Sequence, residues 1–176
     1  GIIWERDLGL THKFLVTPTP RAALVLGKAL SAGLRSTPVM IIIYLLAFLL
    51  NVKLNGSPLS IFTVLLIVIL GSVLFSTFSL IIACLVKTRE RFMGIGQLLT
   101  MPLFFASNAI YPIDVMPGWL QVLSRLNPLT YMVNALRICM LNTEPPVNLV
   151  YNIGVLIVVS AIMVMIGGVL YKRVIV

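Results

Sequence analysis

The chain is poor in acid. Of its 176 residues only five are Asp or Glu, against thirteen Lys and Arg, and His12 is the single histidine. No long apolar stretch carries a carboxylate in its core, which argues against a proton-coupled transporter built on intramembrane acids. H-E-x-x-H is absent too, which argues against an intramembrane metalloprotease. His12 lies in a basic surface segment and reads as a solvated side chain. No G-x-x-x-x-G-K-[ST] occurs: Gly27-Lys28 is followed by Ala29 and lacks the upstream glycine, so this chain has no phosphate cradle and cannot hydrolyse ATP alone. Cysteine is scarce. Cys84 and Cys139 lie in unrelated apolar contexts without C-x-x-C spacing, and support neither a disulfide framework nor a metal site. The start, Gly1 followed by IIWERD, has no basic region leading into an apolar run and a small-residue cleavage site. We therefore expect no signal peptide, and a longer protein of which this is a piece.

What is abundant is apolar surface. Hydrophobic residues make up 60% of the chain, charged ones 10%, and the mean hydropathy is +1.09. That composition implies an all-α integral membrane protein. Four stretches have the length and polarity of transmembrane helices: 34–52, 59–86, 92–109 and 147–170. Arg35 sits near the inner end of the first and can snorkel to the headgroups; Pro38 should kink or wedge its first turns. In the second, Ser72, Ser76, Ser79 and Ala83 recur at helical spacing and predict a helix-packing face rather than a substrate path. In the third, Gln97, Thr100, Phe104 and Asn108 form a polar stripe, which inside a membrane must face protein or water. Lining a pathway and hydrogen bonding between helices are both open for Gln97, Thr100 and Asn108.

Between the third and fourth spans lies a stretch, residues 106–137, that is apolar but broken by Pro112, Pro117 and Pro128. It cannot supply the roughly 20 uninterrupted apolar residues of a span. It offers two short helical pieces instead. Asn127 before Pro128 is a helix start: the Asn caps, and the proline takes a first-turn position where its missing N–H costs nothing. Pro117 can open the earlier piece, from which Trp119, Leu120, Leu123 and Leu126 share a face. Backbone ends at membrane depth need protein or a water-filled cavity around them.

Residues 1–28 are amphipathic and charged, with Glu5, Arg6, Asp7, His12, Lys13, Arg21 and Lys28 among Trp4, Leu8, Leu15 and Val16. Pro18 and Pro20 stop any helix that precedes them. This is a membrane-surface segment or a solvated interfacial loop.

The net charge of +8 could signal nucleic acid, but the basic residues cluster in short loops. With the N-terminal segment inside, Arg6, Lys13, Arg21, Lys28, Arg35, Lys87, Arg89, Arg91, Lys172 and Arg173 are cytoplasmic, ten of thirteen; Lys53, Arg125 and Arg137 are outside. The positive-inside rule then accounts for the charge, with four crossings and both ends cytoplasmic.

Two sets of motifs resemble the permeases of ABC-2 type transporters. The first is the run A-I-Y-P, M-P-x-W-L-Q, L-N-P-L-T-Y and A-L-R, carried by Pro112, Pro117, Trp119, Asn127, Pro128, Tyr131 and Arg137. In that family the segment is an external re-entrant hairpin, here 110–141, between the fifth and sixth transmembrane helices. The second is E-R-D-x-G-L-T, then L-V-T-P-x-x-R and L-G-K, matching Glu5, Arg6, Gly9, Thr11, Pro18, Arg21, Gly27 and Lys28. The family typically shows E-R-E-x-G-T there; Asp7 replaces the glutamate, and Leu10 is inserted before Thr11. In those proteins this cytoplasmic segment docks on the ATPase and transmits its movement.

The resemblance covers nearly the whole chain and implies a single transmembrane domain over 1–176, with four of the six helices of a full subunit. It implies a partner ABC ATPase, a second permease subunit and surrounding lipid, with no nucleic acid. ATP and Mg would sit on the ATPase, and no cofactor on this chain. The expected activity is outward movement of a drug, lipid or polysaccharide-like substrate across the cytoplasmic membrane, Glu5 and Arg6 making the coupling contact and the hairpin closing the exit. Trp119 and Tyr131 could equally be interface anchors. The alternatives are a non-transporting membrane scaffold, and a channel or secondary transporter.

Overall fold

The computed structural model of the chain describes residues 21–86, 88–142 and 146–170. They hold six α-helices and one 3-10 turn: α1 (Arg21–Leu49), α2 (Pro58–Leu85), α3 (Arg89–Phe105), the 3-10 turn Ile113–Val115, α4 (Gly118–Leu126), α5 (Pro128–Leu141) and α6 (Pro146–Leu170). No strand occurs among the described residues.

Local chemistry sets the boundaries. After α1 the chain turns at Asn51, whose φ of 53° lies in the left-handed region that asparagine tolerates. Pro58 opens α2 and Pro128 opens α5, each at a position where the absent N–H costs no helical bond. α5 stops at a second left-handed asparagine, Asn142, whose N–H reaches back to the Ile138 carbonyl at 3.0 Å.

Three helices are long and apolar enough to cross a membrane: Leu30–Leu49, Pro58–Leu85 and Val147–Leu170. They correspond to the expected spans at 34–52, 59–86 and 147–170. The first differs in its beginning, because α1 runs unbroken from Arg21 and joins the end of the charged N-terminal segment to the span. Pro38 lies inside α1. Its missing N–H removes one helical bond, and nearby the Ser36 hydroxyl donates to the Gly33 carbonyl at 2.6 Å.

The stretch 92–109 departs from expectation. α3 has 17 residues, a rise of about 25 Å, and is not among the three spans. It ends at Phe105 because Ser107 closes it: both its N–H, at 3.2 Å, and its hydroxyl, at 2.6 Å, take the Phe104 carbonyl. Residues 106–110 form a turn, so Asn108 lies off the helix and not on a stripe with Gln97 and Thr100.

The bundle is organised around α2. Its Val64, Ile67 and Leu74 form the core with Ala135 and Cys139 of α5 and Leu156 of α6, and Met40 and Tyr44 of α1 pack against them. Lipid tails are as apolar as these side chains, so close fit rather than exclusion from water holds such helices together. Three glycines mark the closest approaches. A Cβ on Gly33 of α1 would stand 3.2 Å from Ile69 Cγ2, and one on Gly167 of α6 would stand 3.0 Å from Thr77 Cγ2. One on Gly71 of α2 would overlap the Met132 thioether of α5. The serine stripe on α2 plays a smaller part than its spacing suggests. Ser72 meets Ser36 of α1 at 3.0 Å, but Ser79 is exposed, and the buried line runs through Gly71, Leu74 and Thr77.

Candidate functional site

The segment between α3 and α6 folds as two short helices joined at Asn127, as its prolines predict. Pro117 precedes α4 and Asn127 caps α5, its Oδ1 accepting from the Leu129 N–H at 3.0 Å. Asn127 has a second task. Its Nδ2 donates to the Leu103 carbonyl of α3 at 2.6 Å, which ties the bend to the last turn of α3.

Around this point the polar groups satisfy one another. Thr130 Oγ1 donates to the Ser124 carbonyl at 2.8 Å and stands 3.3 Å from Ser124 Oγ, and all three residues Ser124, Asn127 and Thr130 are buried. Tyr131 Oη donates to the Arg125 carbonyl at 2.7 Å, while its ring meets Tyr151 of α6 edge-on at 6.0 Å. Gln121 Nε2 reaches the Met116 carbonyl at 2.9 Å. A bend lined with such groups leaves few bare backbone ends, which is what the middle of an apolar bundle demands.

α4 is amphipathic in the reverse sense of a soluble helix. Gln121 and Ser124 turn inward, while Trp119, Val122 and Leu126 face out, Trp119 at 72% and Leu126 at 76% exposure. The apolar face expected at Trp119, Leu123 and Leu126 is therefore the outer one, with Leu120 half-buried.

α5 lies beside α2 rather than across its end. Met132 packs against Gly71, halfway along α2, and the Met140 carbonyl accepts from the Asn55 N–H at 2.8 Å in the loop after α1. One end of α5 is thus level with that loop, and the bend at Asn127 is deeper in the bundle.

A second polar group ties α5 to the turn after α3. The Asn108 and Asn134 amides meet at 2.9 Å, and Arg137 Nη2 donates to the Asn108 carbonyl at 3.0 Å. Turning the Asn108 amide presents its oxygen to Arg137 Nη1 and its nitrogen to the Tyr111 carbonyl, each at 3.3 Å. At this end α3 is hydrogen-bonded to the hairpin through its Leu103 carbonyl. Along its middle, Leu98, Met101, Gln97 and Thr100 are all exposed, and Thr100 satisfies its hydroxyl on its own helix, at the Gly96 carbonyl 2.6 Å away.

The structure thus brings together Asn127, Pro128, Tyr131, Arg137 and Asn108, leaves Gln97 and Thr100 apart from them, and leaves Pro112, Pro117 and Trp119 exposed. Of the coupling residues, Arg21 and Lys28 fall in the early turns of α1; Glu5, Arg6, Gly9, Thr11 and Pro18 lie outside the described residues. Sequence reasoning missed Ser124, Thr130 and Asn134. The available signal was their polarity within an apolar stretch, since such groups need partners there. Among the described residues no group of three or more His, Cys, Asp or Glu gathers to hold a metal.

Comparison with known proteins puts this geometry in context. The ABC-2 type transporter family matches residues 1–141. A putative transport permease, ycf38, of Cyanophora paradoxa is 32% identical over 139 residues, covering 77% of this chain and 47% of its own length. The daunorubicin resistance ABC transporter permease protein DrrB1 of Streptomyces coeruleorubidus is 26% identical over 153 residues, covering 87% of this chain and 53% of its own. Nodulation protein J of Rhizobium meliloti (strain 1021) is 26% identical over 107 residues, covering 61% of this chain and 40% of its own. The chain spans about half the length of the curated relatives it matches. No solved structure matches it. With a family match through both the charged N-terminal segment and the helical hairpin, and three helices fit to cross a bilayer, this chain is a membrane protein that belongs to the ABC-2 type transporter family.

Proposed function

We propose that the chain is part of the permease subunit of an ATP-driven exporter. Family membership carries the reading. The burial of α5 beside the middle of α2 supports a hairpin that dips into the bundle from the side of the α1–α2 loop. The distribution of Lys and Arg supports an outward position for that side. In this arrangement α3 makes a fourth crossing. Its roughly 25 Å are extended by the turn 106–110 toward the ~30 Å of a hydrocarbon core. Both ends of the chain are cytoplasmic, and the membrane is the cell membrane.

Transport then runs between this permease and a second one, with the hairpin closing the outer exit. Gln97 and Thr100, exposed on α3, face the shared pathway, and Asn108 marks its outer limit. ATP and Mg are bound by a partner ATPase. Its movement enters through residues 1–28, with Glu5 and Arg6 as the charged contact, and continues into α1, which is unbroken from Arg21. Such coupling requires contacts that differ between the two states. A drug, lipid or polysaccharide-like substrate fits the reading; the daunorubicin resistance relative favours a drug.

The test uses the complete subunit in mild detergent, wild type beside a charge-reversed Glu5→Arg/Arg6→Glu variant. An ABC ATPase is expected to co-purify with the wild type and to be lost from the variant while the subunit still inserts. No ATPase with a well-folded wild type would end the exporter reading in favour of a membrane scaffold. Export persisting without any ATPase would end it in favour of a channel or secondary transporter.

A further inference from the structure

We infer that Arg137 is a binding site for an anionic oxygen group, a phosphate or carboxylate, presented near the open end of the hairpin. Arg137 is half-buried on α5, and its partners among the described residues are neutral. Nη2 donates to the Asn108 carbonyl at 3.0 Å, and no carboxylate among the described residues pairs with it. A guanidinium has five N–H donors in a fixed fork. The Asn108 backbone carbonyl takes one at 3.0 Å and the Asn108 amide oxygen a second at 3.3 Å, so three are left for a ligand. Among the described residues no counter-charge meets this half-buried cation, which is poorly placed energetically without one, and an oxyanion seated bidentately on the fork would relieve that.

The surroundings suit such a ligand. Arg137 is one helical turn from Met140, whose carbonyl meets the α1–α2 loop, so the fork is near the end of the bundle and not at its centre. Asn134, one turn before Arg137, and Asn108 supply neutral amides whose nitrogens can donate to an anion. Neither brings a negative charge. With the Asn108 amide oriented so that both its atoms are satisfied, its oxygen accepts from Arg137 Nη1 at 3.3 Å, a long contact that an anion on the fork can replace.

Two sources carry this chemistry: the headgroup of an anionic phospholipid and a soluble anion or substrate bearing the same group. The inference rests on the membrane placement of the hairpin and not on ATP coupling, so it survives or fails separately from the exporter reading. The test is arginine modification by phenylglyoxal on the complete wild-type subunit in detergent or in nanodiscs, with the extent at Arg137 and at exposed Arg125 read by mass spectrometry. The subunit in a maltoside detergent, which carries no phosphate or carboxylate, sets the reference. A drop at Arg137 of roughly fivefold or more, the population change that about one charge-assisted bond supports, is expected with phosphatidylglycerol in the disc or with inorganic phosphate in solution, with Arg125 unchanged. Protection by phosphatidylglycerol alone assigns the site to lipid; protection by phosphate assigns it to a soluble group. Equal modification in all three conditions, or equal protection of Arg125, overturns the site and leaves Arg137 as a strut to the Asn108 carbonyl. Arg137→Lys should keep preferential retention of phosphatidylglycerol over phosphatidylcholine during purification, and Arg137→Gln should lose it, if lipid is the source.

Discussion

Asn127 does two things at once: it accepts from one backbone N–H and donates to a carbonyl on another helix. An alanine there removes the cap and strands the Leu103 carbonyl. We expect Asn127→Ala to cost about 2 kcal/mol, the sum of a typical cap and a typical net hydrogen bond. It should read as a lower thermal midpoint of the detergent-solubilised subunit. Asn127→Ser keeps a capping oxygen but is too short to reach Leu103, and should recover roughly half of that loss. A serine variant as stable as wild type would show that the Leu103 bond contributes nothing. The cap was legible in the Asn-Pro pair; the reach to Leu103 was not, because 24 residues separate the partners and only the tertiary fold brings them together.

Among the helices, the decisive contact is the approach of α6 to α2. Gly167 faces Thr77 and has no room for a branched side chain, whereas a Cβ on the adjacent Gly168 would meet nothing within 4 Å. Gly167→Val should destabilise by about 1–3 kcal/mol through overpacking, while Gly168→Val should leave the subunit near wild type. The fraction of subunit surviving heating in mild detergent measures both. If the two variants behave alike, that contact does not hold α6 in place. This pair illustrates what sequence can say at the level of elements. Length and polarity located α2 and α6 closely, because an uninterrupted apolar run of that length has few other fates. They misplaced the end of α3, since Ala106–Ile110 is apolar enough to continue a span and only the hydrogen bonds of Ser107 to Phe104 stop it. They also overvalued the α2 serines: small residues permit close packing but do not say which neighbour arrives, and the glycines took that place.

At the scale of the whole molecule, α3 is the helix whose middle is left uncovered. Its middle is exposed around Gln97, Leu98, Thr100 and Met101, in a chain otherwise packed about α2. A second permease covering this face should bring the two Gln97 positions near each other. In the complete subunit freed of Cys84 and Cys139, Gln97→Cys is expected to give a cross-linked dimer on oxidation in native membranes. Monomer alone would remove the second copy from this face and assign it to the remaining part of the protein or to lipid.

The attachment of α3 has a mechanical meaning. One end follows α2 after the short connection 86–88, and the other is bonded to the hairpin through Leu103 and Asn108. Between them stands a stiff rod of about 25 Å with little to grip its sides. In the proposed transporter such a part would serve as a push rod, carrying axial displacement from one end toward the other, with Pro102 inside its last turns as the point where it can bend. A shift of one or two ångströms at the 86–88 connection would therefore be delivered to Asn127 and Asn108, the two joints that set where the hairpin sits.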